Sequence, residues 1–208
     1  MTRPQLFGRR GSLFTRLARM VAIEAGVELD FRVIPDFKSL EPEVYGGNPA
    51  LKLPTLVVDG APIFGSTTIC RHLVAASPTG FAMTWPEAMS PALRNGWELL
   101  SQAMINQVQL VFGVTVTGLP ADHLFFVKAA EGMDGAMAWL DERLGDLLAE
   151  LPAGLSLFEA ALFCQLEHLR FRPTAGLPER ANLEAFRAGF ASRPSALATP
   201  FELDSPTP

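Results

Sequence analysis

The chain has 208 residues, 49% of them apolar and 19% charged, with a formal net charge of −5. That length supports one large domain or two small ones, each with its own core, and the composition is that of a globular chain. The acidic balance argues against nucleic acid, because phosphate binding needs a basic face.

Gln5-Leu6-Phe7-Gly8 reads as a short strand. Gly11 then breaks the chain and Ser12 stands as a candidate N-cap, after which Leu13, Leu17, Met20, Val21 and Ile23 carry helical spacing up to Gly26. Glu28 to Ile34 alternates as a second strand, and a loop rich in Pro, Gly and acidic residues covers 35–49. Pro54 opens the strand Thr55–Val58. Asp59-Gly60 is the strongest hairpin turn in the sequence and leads into Pro62–Phe64. Ser66 is the expected N-cap of a helix from Thr67 to Ala76. The order so far is β-α-β-loop-β-β-α.

Composition changes after Ser77. Residues 78–91 are turn-rich, with Pro78, Gly80, Pro86 and Pro91, and read as a linker. Beyond it the chain reads as helical: Leu93 to Val116, then Asp122 to Leu151 with Met133, Met137, Leu140, Leu144 and Leu147 on one face. Ser156-Leu157-Phe158-Glu159 is a capping box opening the helix Leu157–Phe171, which is apolar nearly all round and so expected to be buried. Leu183–Ala191 is a shorter helix ended by Arg193-Pro194. The tail from Thr199 has three prolines and no periodicity, and is expected to lie along the surface or fray.

Cys70 and Cys164 are far apart and lack metal spacing; they fit a reducing cytoplasm and imply no disulfide. His72, His123 and His168 are isolated, so no metal is expected. Met1-Thr2-Arg3-Pro4 is followed by no apolar run, so no signal peptide is expected, and no stretch of about 18 apolar residues suggests a membrane span. Neither a Walker-type glycine loop nor a G-x-S-x-G elbow is present.

The chemistry-bearing residues are few. Pro54 has no N–H for a ladder and is tolerated only at the start or edge of a strand; it is either a strand starter or the mark of an unusual backbone. Ser12 and Ser66 each stand where a helix begins. Such a serine is an ordinary N-cap, and it also presents a hydroxyl, free N–H groups and the helix dipole to an anion. Arg9 and Arg10 read as solvated charge or as attraction for an anionic ligand.

Four segments, in order and suitably spaced, resemble the soluble (cytosolic-type) glutathione S-transferase family. "LFGRRGSLFTRLARMVAIEAG" is similar to that family's first strand, active-site loop and first helix. "NPALKLPTLVVDGAPIFGSTTICRHL" resembles its proline-strand-hairpin-serine-helix segment. "LSLFEAALF" is similar to the capping box of its central buried helix, and "FASRPSALATPF" to its final helix and following turn. The resemblance covers almost the whole chain and points to a bacterial, serine-type member.

It implies an α/β N-terminal thioredoxin-like, glutathione-binding domain over 1–77, a linker over 78–91, and an all-α C-terminal helical-bundle domain with a tail over 92–208. The proline matching Pro54 is cis in the family, which turns the backbone of Leu53 outward to pair with an extended peptide; glutathione, the co-substrate, is such a peptide. Ser66 is implied to hold the γ-glutamyl carboxylate, Lys52 to reach the glycine carboxylate, and Ser12 to stabilise the thiolate as the catalytic residue. Phe14, Trp97, Ser101 and Met104 are candidates for a second-substrate pocket between the domains. Tyr45 is the only tyrosine, and Phe7 occupies the first strand, so tyrosine-type catalysis is excluded near the N-terminus. Serine in place of cysteine at position 12 speaks against thiol-disulfide chemistry.

The resemblance therefore implies a cytoplasmic, homodimeric transferase with a detoxification-type reaction. It would join glutathione to a small electrophilic substrate, without nucleic acid, membrane or metal. Two departures favour an alternative, a non-catalytic binding or interaction protein of the same fold. Gly65 stands where the family commonly has an acid or amide, and Leu13 where many members have proline.

Overall fold

The structure is a computed structural model and describes residues 3–174, Gly176 and residues 178–204. Two compact units divide the chain. One joins the residues up to Ala82 with those from Arg193 onward; the other spans Met83–Ser192.

The first unit is built on a four-stranded sheet in the order β2-β1-β3-β4. Strand β1 (Gln5–Gly8) is followed by helix α1 (Leu13–Glu24) and by β2 (Asp30–Val33), which pairs parallel with β1. Strand β3 (Thr55–Val58) lies antiparallel on the other side of β1 and pairs with β4 (Ala61–Phe64). The hairpin between them is the two-residue turn Asp59-Gly60, with φ of 46° and 83°. Both central residues at positive φ match the right-handed twist of the flanking strands. Helix α2 (Ser66–Ala75) packs against α1.

Helix α1 buries Leu13, Leu17, Ala18, Met20, Val21 and Ala22. Ile23 falls off this stripe and is exposed, against the expectation from spacing. Gly8 gives the helix its seat. A Cβ there would lie 2.5 Å from Thr15 Cγ2 and 2.6 Å from its Oγ1, and Thr15 is fully buried.

The second unit is helical, with one small sheet. The stretch read as a linker contains β5 (Met83–Thr84), which pairs parallel with β6 (Leu155–Ser156), and a 3-10 turn over Pro86–Ala88. Pairing with a strand some seventy residues on leaves no periodicity in a two-residue segment. Helix α3 (Pro91–Leu110) runs into a π-helical end over Val111–Val116 and packs on α4 (Leu124–Ala149). By length and composition Pro91–Val116 is apolar enough to cross a membrane; one face of it, including Leu93, Leu100, Ala103 and Met104, is buried. Helix α5 (Leu157–Phe171) carries the expected capping box, Ser156 with Glu159, and most of it is buried. Helix α6 (Ala181–Phe190) packs on α4 and α5.

Pro194 does more than end a helix. It opens α7 (Pro194–Leu197), where its fixed φ and missing N–H suit a first-turn position. This segment is held to α1. Arg193 Nε lies 3.1 Å from Glu24 Oε1 and Ser195 Oγ donates to the same carboxylate at 2.5 Å. Burial works to raise the Glu24 carboxyl, but these donors hold it below its ordinary value. Arg16 donates to the Ala196 carbonyl at 3.3 Å. Of the two expected courses for the tail, residues 199–204 lie along the first unit, tied down at Phe201 and Asp204, with Pro200, Glu202 and Leu203 exposed; residues 205–208 lie outside the described residues.

Gly8→Ala sets two effects against each other. A strand alanine is favoured over glycine by about 0.5–1 kcal/mol, while forcing a methyl into a filled core costs about 1–3 kcal/mol. Thr15 is β-branched and stiff, so the clash wins. We expect urea denaturation to show a lower midpoint for Gly8→Ala; an unchanged midpoint would mean α1 shifts freely over β1.

Candidate functional site

The register places three chain segments at one end of the sheet. Phe7 pairs with Thr55, and Thr55 with Phe64, so these residues form one row across three strands. The turn to Ser12 leaves just beyond Phe7, Leu53-Pro54 arrives just before Thr55, and Gly65-Ser66 leaves just after Phe64. With strands about 4.8 Å apart, the row from which the three segments depart spans about 10 Å.

Ser12 caps α1. Its Oγ accepts the Thr15 N–H at 3.3 Å, its own N–H donates to the Arg9 carbonyl at 3.1 Å, and it is half-buried. The cap uses the oxygen as acceptor, which leaves the hydroxyl hydrogen free to donate. Leu13, the next residue, is 1% exposed; it is apolar because it begins the buried face of α1.

The Leu53–Pro54 peptide is cis. Leu53 is half-buried and lies outside both β3 ladders, whose registers begin at Thr55. Lys52 is exposed. Asn48 holds the loop that carries them: its Oδ1 accepts the Ala50 N–H and its Nδ2 donates to the Lys52 carbonyl, each at 2.9 Å. Within that loop Leu51 sits at φ +54°, a left-handed position that an L side chain occupies at a cost.

Ser66 is the first residue of α2 rather than its cap. The cap is Gly65, at φ 81° and ψ 131°, and no side chain caps the helix. That backbone region is open to glycine almost alone, which accounts for Gly65 on conformational grounds. A glycine cap offers no oxygen to the first-turn N–H groups, so the N-terminus of α2 presents them bare.

The other expected residues belong to helices α1 and α3. Phe14 is half-buried on α1. Trp97, Ser101 and Met104 are on α3 in the second unit, Met104 only 2% exposed. Tyr45 is buried and its hydroxyl donates within its own loop, 2.8 Å from the Phe37 carbonyl and 3.0 Å from that of Ser39. Burial, aided by Asp36, raises its phenol above the ordinary value. Arg9 and Arg10 are paired charges: both meet Asp204, whose side chain is 3% exposed, while the Arg10 side chain remains 39% exposed. Among the described residues no group of three His, Cys, Asp or Glu side chains is placed to hold a metal.

Sequence reading missed Asn48, Leu51 and Asp204. The Asn-Pro dipeptide at 48–49 is a turn signal and marks the first of these. No local signal marks Asp204.

Comparison with known proteins identifies the fold. Residues 6–80 match the model of the glutathione S-transferase N-terminal domain. The structure resembles a glutathione S-transferase from Methylobacillus flagellatus with GSH bound, at 22% identity and TM-score 0.76, covering 95% of this chain and 98% of that one. It resembles a glutathione transferase family member from Pseudomonas fluorescens with bound glutathione, at 20% identity and TM-score 0.75, covering 96% and 100%. A theta-class glutathione S-transferase from Xanthomonas axonopodis pv. citri with glutathione bound aligns over 100% of both chains, at 21% identity and TM-score 0.70. No curated protein matches the sequence. The fold is that of the glutathione S-transferases, a thioredoxin-like domain with a mixed sheet followed by a helical region.

Leu51→Gly tests the loop. Relief of the left-handed strain is worth about 1–2 kcal/mol, and the extra chain entropy of glycine costs about 0.5–1 kcal/mol. We expect a net stabilisation, read as a higher denaturant midpoint; a lower one would mean the Leu51 side chain contributes more than its backbone costs.

Proposed function

We propose that this protein is a glutathione transferase of the serine type. The observation that carries the reading is the arrival, at one sheet end, of a residue outside the ladders beside a cis peptide and of two helix N-termini of different character. The α1 terminus is capped by a hydroxyl with a free hydrogen, and the α2 terminus is uncapped. An extended peptide bearing a carboxylate at one end and a thiol in the middle fits that arrangement.

In this reading the backbone of reduced glutathione pairs with the N–H and C=O of Leu53 by strand addition. Its γ-glutamyl carboxylate meets Ser66 and the bare N–H groups of α2, where the dipole favours negative charge. Lys52 reaches the glycine carboxylate. The thiol then lies at Ser12. A hydrogen bond donated to the charged form lowers the thiol pKa, so the proton passes to solvent and the thiolate accumulates. The sulfur lone pair forms a bond to an electrophilic carbon of an apolar substrate, and the leaving group departs with its electron pair. Gly65 brings no side chain to the ligand amine, which places affinity toward the weak end for such a site.

A two-fold homodimer belongs to the same reading, and would give a solution mass twice the 22.5 kDa of the chain; the single mass in gel filtration would remove it. Localisation in the cytoplasm and a detoxifying role are likewise part of the proposal.

The direct test is calorimetric titration with reduced glutathione, followed by turnover with a nitro-activated aryl chloride. We expect Ser66→Ala to weaken binding with little change in kcat. Ser12→Ala should lower kcat by about tenfold or more at saturating glutathione, beyond the roughly 1 kcal/mol that loss of a cap costs in stability. Absence of binding at millimolar glutathione would leave the non-catalytic alternative; an unchanged kcat in Ser12→Ala would remove Ser12 from the chemistry.

A further inference from the structure

The C-terminal segment runs along α1 in the reverse direction. Arg193 and Ser195 meet Glu24 at the end of the helix. Ala196 accepts from Arg16, and Phe201 lies under the Arg16 guanidinium at 4.5 Å. Asp204 then reaches the turn before the helix. Its carboxylate accepts the Arg10 backbone N–H at 2.9 Å and pairs with the Arg10 guanidinium at 3.1 Å and with Arg9 Nε at 3.4 Å. The Asp204 carbonyl accepts from Arg9 at 3.2 Å.

These contacts converge on the turn that delivers Ser12. That turn is closed by the Ser12 N–H on the Arg9 carbonyl. The far side of Arg9 is fixed by donation to the Ile34 and Pro35 carbonyls, at 2.9 and 3.3 Å, and by the Phe37 ring, 4.9 Å from the guanidinium. Asp204 supplies a further constraint, beside Glu202 at 3.4 Å from Arg10 Nε and the Phe31 ring 5.6 Å from the Arg10 guanidinium. It is a buried anion that holds one backbone N–H and two side chains of the same turn.

We propose that Asp204 is a positioning residue: it fixes the turn 9–12 and with it the direction of the Ser12 hydroxyl. The catalytic consequence rests on the transferase reading above; the structural one does not. Asp204 touches no reacting atom and acts only through Ser12.

The experiment compares Asp204→Ala with Arg193→Ala, which cuts the same segment at the opposite end of α1. In the ligand-free protein, exchange of the Arg10 and Ser12 amides should rise about tenfold or more in Asp204→Ala and stay near wild type in Arg193→Ala. In turnover, Asp204→Ala should lower kcat about tenfold with KM for glutathione within about twofold, since misplacement of a catalytic group costs rate more than binding. Asp204→Asn keeps a carbonyl oxygen for the Arg10 N–H and should recover part of the loss. In a Ser12→Ala background, Asp204→Ala should cost less than about twofold.

Equal exchange in the two variants, or a full further loss of kcat in the Ser12→Ala background, would overturn the proposal. Where Asp204→Ala does not fold, Asp204→Asn carries the exchange comparison. Absence of glutathione turnover in the wild-type protein would remove the transferase reading, while the exchange contrast would still decide whether Asp204 holds the turn.

Discussion

The row Phe7–Thr55–Phe64 is the constraint from which the rest of the site follows. Hydrogen-bonded strands have a fixed spacing and register, so pairing these three residues decides where the chain before and after each must go. Two of the outgoing segments start helices and the incoming one is the Leu53-Pro54 dipeptide. A slip of one residue in β3 would exchange its faces, turning Leu56, which is fully buried, away from the core. The core burial that fixes the register therefore fixes the site as well.

The two helix N-termini at this end show how similar sequences diverge in local chemistry. Ser12 and Ser66 both follow a glycine and both stand where a helix begins. At Ser12 the backbone is extended, with φ −95° and ψ 125°, so its side chain can turn back onto the Thr15 N–H. At position 65 the backbone takes φ 81°, and the helix begins one residue earlier relative to the serine. The first terminus has its Thr15 N–H capped by Ser12 and keeps a spare donor in that hydroxyl. The second keeps its unpaired N–H groups. Such groups cost little while water reaches them, and half-buried Ser66 beside exposed Gly65 is within that reach.

Where the determinants were local, the sequence could be read directly. The Asp59-Gly60 turn, the Ser156–Glu159 capping box and the long α3 each follow from residues within a few positions of one another, and all are present. Ser12 was legible as an N-cap for the same reason, whereas at Pro54 the local residues allowed either a strand starter or an unusual backbone, and the cis bond was implied by the family resemblance. The β5–β6 pairing was not, because two-residue strands carry no period. The shift of the α2 cap from Ser66 to Gly65 turns on one φ angle that composition does not encode. Asp204 lies 194 residues from Arg10; a prolyl tail looked featureless because its structure is set by the partners it meets, not by its own pattern.

Pairing through Asp204 also bears on the electrostatics of the site. Two arginines immediately before Ser12 would, if free, dominate the local field and draw any anion to themselves. Asp204 takes both, Glu202 adds a second carboxylate 3.4 Å from Arg10 Nε, and the side of Arg9 is further shielded by Phe37. With Arg9 and Arg10 paired, the two helix N-termini and their oriented N–H groups contribute positive potential at the sheet end beside the exposed Lys52. Such dipoles are fixed in direction and act over about one turn, whereas an arginine side chain would act over a Debye length of about 8–10 Å. For the proposed ligand, with one carboxylate at α2 and one sulfur at α1, the shorter reach would favour selectivity, and the ion pairs at Asp204 keep Arg9 and Arg10 engaged.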